Sequence, residues 1–175
     1  MLAKTFGSAV HGVDARTITI EVNVGQGVRF FMSGLPDSAV KESEHRVESA
    51  LKNYKFFMPR EKTVVNLAPA DIRKEGSSYD LPIALCILKA SGQMVGTTLD
   101  QYVIMGELAL DGTLRPIKGV LPIAIQAKKE GFRGFILPKD NAREAAIVSG
   151  IDVLPVETVK QAVDFLNEKI SIEPV

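Results

Sequence analysis

Cysteine and histidine are almost absent from this chain of 175 residues: Cys86 is the single thiol, and His11 and His45 are the two imidazoles. Cys86 lies inside the apolar run Leu81-Pro-Ile-Ala-Leu-Cys-Ile-Leu88, which points to a buried thiol, argues against a disulfide framework and fits a reducing cytoplasm. With no Cys-x-x-Cys or His-x-x-x-His spacing, no metal site is expected. Net charge is missing too. Twenty-one basic side chains cancel twenty-one acidic ones, so no global field gathers nucleic acid or an anionic membrane, and any nucleic-acid contact must be local. No Gly-Lys dipeptide occurs, which rules out a Walker A loop, and Gly25-x-Gly27 reads as a turn because no strand-to-helix step follows it. No nucleotide or other cofactor is therefore expected in this chain. The start, Met-Leu-Ala-Lys-Thr-Phe-Gly, has no apolar signal core, and no apolar stretch is long enough for a membrane span. A soluble, unexported, cytoplasmic protein is the reading.

What is present suits one core: 46% hydrophobic and 24% charged residues, with no repeat, low-complexity tract or internal linker. Thr17-Ile-Thr-Ile-Glu-Val-Asn-Val24 alternates in the manner of a half-buried strand, and Gly25-Gln26-Gly27 is expected to turn it back into Val28–Met32 as a hairpin. Val47, Ala50, Leu51 and Tyr54 make one apolar stripe on a helix from residue 37 or 38 to 54, with Glu42/Arg46 and Glu48/Lys52 pairing on its wet side. A strand over 63–68 stops at Pro69, and a buried helix over 80–91 starts with Asp80 as N-cap and Pro82 in its first turn. Asp111-Gly112 predicts a hairpin between Tyr102–Leu110 and Thr113–Ile117, followed by a helix to Gly131 and a strand over 132–137. Asn141 with Glu144 resembles a capping box, residues 151–155 close the sheet, and Thr158 with Gln161 opens the last helix. The order implies a two-layer α/β domain over 1–175.

Two stretches carry a resemblance. Arg73-Lys-Glu-Gly-Ser-Ser-Tyr-Asp-Leu-Pro82 and Gly106-Glu-Leu-Ala-Leu-Asp-Gly-Thr-Leu-Arg-Pro-Ile-Lys-Gly-Val-Leu121 resemble the two blocks that hold the Ser-Lys dyad of Lon-type proteases. The likeness continues through Ala127–Asn141 and covers residues 60–165. Together with Ser8-Ala-Val-His-Gly-Val-Asp14, Gly34-Leu-Pro-Asp37 and Asn66-Leu-Ala-Pro-Ala-Asp-Ile-Arg-Lys-Glu-Gly76, the pattern is similar to the amino-terminal Lon-like domain of ComM/YifB proteins, bacterial AAA+ proteins also called magnesium-chelatase-like. The resemblance implies the ribosomal protein S5 domain 2-like fold of Lon proteolytic domains, with a left-handed crossover that departs from the usual rule. It also implies a homo-hexameric parent whose ATP and Mg²⁺ site lies in a downstream AAA+ domain, the chain's first partner, and a link to DNA processing in natural transformation.

The resemblance also shows what has been lost. Ser78 keeps the nucleophile's place on the turn before a helix, where free N–H groups could hold an oxyanion. Leu121 stands where the activating Lys belongs, and a serine hydroxyl without a base is a poor nucleophile. Asp80 replaces a small Gly, and its carboxylate is expected to occupy the helix donors. Leu121 is expected to be a packed core residue that fills the old pocket. No catalytic residue is therefore expected, and the domain reads as an accessory for ring assembly, interdomain contact or DNA guidance. The rivals are a working Ser-Lys peptidase using Ser78 and Lys118, and a magnesium-chelatase-like motor subunit. Arg60, Lys62, Arg73 and Lys74 bracket one strand and are candidates for a basic rim touching DNA or a neighbouring domain.

Overall fold

In the computed structural model, which describes residues 1–175, period-two alternation builds the centre of the sheet. Leu2–His11 (β1) and Asp14–Gly25 (β2) form a long antiparallel hairpin, turned at Gly12 with φ +64°. Ile18, Ile20, Val22 and Val24 of β2 are buried, while Thr17, Thr19, Glu21 and Asn23 are not. Alternation does not announce β1, because its inward residues Ala3, Thr5, Gly7 and Ala9 are small. A Cβ on Gly7 would lie 3.0 Å from the Met105 sulfur and 3.2 Å from Ile20 Cδ1, so close approach forbids the bulky residues that usually mark a strand.

Phe30–Ser33 (β3) does not fold back on β2 as the glycine turn suggests. Lys62–Ala68 (β4) inserts between them, parallel to β3 and antiparallel to β2. Tyr102–Ile104 (β5) leaves the predicted long hairpin and joins β1. Only Glu107–Leu108 (β6) and Leu114–Arg115 (β7) pair around Asp111-Gly112. Gly134–Pro138 (β8) and Asp152–Val156 (β9) complete a seven-stranded sheet ordered β3-β4-β2-β1-β5-β8-β9, in which β2 alone runs against the rest.

The predicted helix over 38–54 is interrupted at Glu42 into Ser38–Lys41 (α1) and Ser43–Asn53 (α2), and Arg46 turns inward instead of pairing with Glu42. Asp80–Ala90 (α3) has ten of its eleven residues buried, including Cys86, whose thiol burial pushes up and so holds protonated. It packs on the Ile18–Ile20 side of β1 and β2. Val120–Lys129 (α4) sits on the other side: Gly119, just before it, lies against Val10, and Thr17 donates a hydrogen bond to Glu130, just after it. Helices on both faces correct the two-layer expectation to a mixed α/β sheet flanked from both sides around β1 and β2.

Two capping expectations have different outcomes. Asn141 makes no side-chain cap for Ala142–Ala145 (α5), whereas Thr158 Oγ1 accepts from Gln161 N (3.0 Å) at the start of Val159–Leu166 (α6). No helix is long and apolar enough to cross a membrane.

Candidate functional site

The parallel neighbours β1 and β5 end side by side, and the loops entering α3 and α4 converge there. Carboxyl ends of adjacent strands are where open α/β sheets present their clefts. This one is about 430 Å³ and is bordered by Asp37, Glu75, Ser78, Tyr79, Met105 and Lys118.

The Ser78 loop is fixed by side chains that sequence reasoning assigned to other work. Gly34 sits at φ +100° with its Cα against β4, where a Cβ would be 1.9 Å from the Leu67 carbonyl oxygen, so only glycine fits. Its own carbonyl accepts from Lys74 Nζ at 2.7 Å, and the Pro69 carbonyl is the second acceptor. Lys74 is fully buried, and burial lowers its pKa although Asp71 opposes the shift. Asp37 caps α1 through Oδ1, which accepts from Val40 N at 2.8 Å, while Oδ2 accepts from Gly76 N at 3.1 Å. Ser77 Oγ donates to the Glu107 carboxylate, and Gly106 N donates to the Ser78 carbonyl at 2.8 Å.

Asp80 is not an N-cap. Its side chain, 1% exposed, accepts from Arg46 Nε at 2.7 Å and Arg46 Nη2 at 2.9 Å, and from Leu108 N at 3.0 Å. Burial pushes this carboxyl above its ordinary value against the pull of those hydrogen bonds, and the Asp80 hydrogen bond raises the Arg46 guanidinium in turn. The first helical donors are consumed by the backbone instead: Asp80 N bonds Ser77 O at 3.2 Å, Leu81 N bonds Gly106 O at 3.0 Å, and Pro82 has no N–H. The N–H groups of Ser78 and Tyr79 make no hydrogen bond within the protein. Tyr79, a cleft residue the sequence reading passed over, is 3% exposed, and burial with the nearby Asp37 and Glu75 charges keeps its phenol protonated.

Across the cleft, Asn141 clamps the second loop. Its Oδ1 accepts from Ile117 N and its Nδ2 donates to Ile117 O, both at 2.9 Å. The next residue, Lys118, is exposed and borders the cleft with Ser78, yet no hydrogen bond joins them and Ser78 Oγ has no partner at all. Leu121 is half-buried and does not border the cleft, because α4 turns Val120, Ile123, Ala124 and Ala127 inward. The expectation that Leu121 fills the pocket as a core residue is corrected: the cleft is open.

The four basic residues do not make one rim. Arg60 and Lys62 stand at the start of β4 and Arg73 and Lys74 follow its end, about 20 Å away for a strand of this length. Arg73 pairs with Glu75 at 3.2 Å, and Lys74 is inside. His11 and His45 lie apart, on β1 and α2.

The family described as "Subunit ChlI of Mg-chelatase" matches residues 20–141. Competence protein ComM of Haemophilus influenzae is 45% identical over 95% of this chain, and YifB of Escherichia coli K12 is 42% identical over 94%. The chain spans about a third (33%) of the length of each of these relatives. Lon protease 2 of Bacillus subtilis is 31% identical over 55% of the chain and 17% of its own length, a distant likeness. The chain belongs to the Mg-chelatase subunit ChlI family and is homologous to one third of ComM and YifB.

Proposed function

We propose that this chain is a non-catalytic, Lon-like accessory domain, with ribosomal protein S5 domain 2-like topology, of a ComM/YifB-type AAA+ ATPase that processes DNA in natural transformation. It acts in the cytoplasm, in ring assembly of a homo-hexamer, contact with its own AAA+ domain, or DNA guidance. ATP and Mg²⁺ belong to that downstream domain, because no Gly-Lys dipeptide is available here to cradle phosphates. The observation that carries the reading is Ser78 Oγ standing without a base: nothing accepts its proton, and Leu121 cannot. Incubation with unfolded casein tests it. No turnover is expected, and hydrolysis abolished by Ser78→Ala would overturn the reading.

The peptidase rival is favoured by one observation, the shared cleft of Ser78 and Lys118 beside the free N–H groups of Ser78 and Tyr79. A dyad needs its two atoms within hydrogen-bond reach, and the same casein assay with Lys118→Ala separates the two readings. A magnesium-chelatase-like motor role has no residue in this chain to support it beyond the family match.

A further inference from the structure

The strand registers leave part of one sheet face uncovered. Val64 lies opposite both Phe31 of β3 and Asn23 of β2, and Lys62 is two residues before Val64, so these side chains share a side. On β1, Lys4 faces Glu21 and Phe6 faces Thr19, on that same side. The α4 helix covers this face near Val10 and Thr17, and Phe132 just beyond it packs edge-on against the half-buried Phe6; from Thr19 to Asn23, and across β4 and β3, no residue of it is buried.

The chemistry of the face is specific. Two of its corners carry a phenyl ring with an ammonium over it: Lys62 Nζ is 5.3 Å from the Phe31 centroid, and Lys4 Nζ is 5.7 Å from that of Phe6. Phe31 is 43% exposed. Between the corners, Ser33 Oγ donates to Asn66 Oδ1 at 2.9 Å and Asn66 Nδ2 donates to Glu21 Oε1 at 3.0 Å, which fixes polar groups at the centre. Glu21 is the one carboxylate against two ammonium groups, so this face is cationic although the chain is neutral. Lysines and a central Glu are what the cores of protein–protein interfaces exclude. Rings for stacking with cations beside them are what an unpaired nucleic acid uses, since every base has a π-face and every linkage a phosphate.

We propose that this open face of β3-β4-β2-β1 binds single-stranded DNA, with bases stacked on Phe31 and Phe6 and the phosphates tracked by Lys62 and Lys4. The two rings are three strands and four residues apart, about 20 Å by ordinary strand spacing and rise. The inference deepens the DNA-guidance arm of the proposed function and rests on that reading for the choice of DNA.

The test is fluorescence anisotropy of this chain with a fluorescein-labelled oligothymidylate of about 12 nucleotides, within the usual range for single-strand modules. Saturable binding at low salt is expected. Phe31→Ala should weaken it by at least ~5-fold, and Lys62→Gln should reduce the slope of log K against log salt by ~0.7, with thermal melts unchanged. Amide shifts at Lys4 and Phe6 read the other corner without disturbing the Phe6–Phe132 contact. Binding that both variants leave unaltered, without shifts at Lys4 and Phe6, overturns this face while the DNA arm stands. An absence of binding at low salt overturns the inference and leaves the accessory-domain reading to ring assembly or interdomain contact.

Discussion

The loop entering α3 and the loop entering α4 border the same cleft, yet they are held by different means. The first is fixed by charged side chains: buried Lys74 on two carbonyls, half-buried Asp37 between α1 and Gly76, and buried Asp80 on Arg46. The second hangs on one neutral amide, Asn141, and leaves Lys118 free and Leu121 half-buried. Buried charges are costly unless paired, so the position of Ser78 is heavily determined while the base that would use it is not. The difference separates scaffold from chemistry, and variants can test each side of it.

The largest effect is expected at Arg46. Arg46→Ala leaves the Asp80 carboxylate buried with only Leu108 N as donor, and urea melts should show a loss of ~3–5 kcal/mol. Asp80→Ala should cost less, because Arg46, with 22% of its side chain exposed, can turn to water. The reverse order would mean that Asp80 mainly caps its own helix.

Lys74 sharpens the same side through pH. Its folded pKa lies below the ordinary lysine value, with burial as the first cause. Between the two values the unfolded chain holds a proton that the folded chain has released, so stability rises with pH. Relative to Lys74→Met, the wild type should gain stability as pH approaches ~10.4, the unperturbed lysine value. A flat difference between the two urea midpoints across that range would show that Lys74 feels no burial.

Asn141→Ala probes the lighter fastening. Two hydrogen bonds to Ile117 are lost, and a decrease of ~1–3 kcal/mol is expected in the same melts. The smallest effect belongs to Leu121→Lys, expected within ~1 kcal/mol because a lysine stem can lie along apolar surface with its head in water. A loss of several kcal/mol there would restore the filled-pocket picture.

Much of the fold was legible wherever one element sufficed: the alternation of β2, the apolar run of α3, the Asp111-Gly112 turn and the Thr158 cap all stand. What could not be read was which elements meet. Nothing local tells β3 to pair with β4 over β2, or tells Arg46 to choose Asp80, 34 residues away, over Glu42. Lys74 looked like surface because lysine usually is, and only the assembled loops supply its two carbonyls. Lys62 was legible only as part of a basic rim, and its aromatic companion Phe31 is supplied by the register of β3 on β4. At the site, Ser78 and Lys118 were legible as residues. Their separation was not, since the Asn141 clamp on Ile117 lies 24 residues from its target.

The central claim, that Ser78 is held in place without being activated, is tested most directly by a fluorophosphonate probe. Intact-mass measurement of the chain after incubation at neutral pH should show no adduct, and Ser78→Ala should be indistinguishable from the wild type. Stoichiometric labelling of Ser78, lost in Lys118→Ala, would contradict the account and make the open cleft an active site.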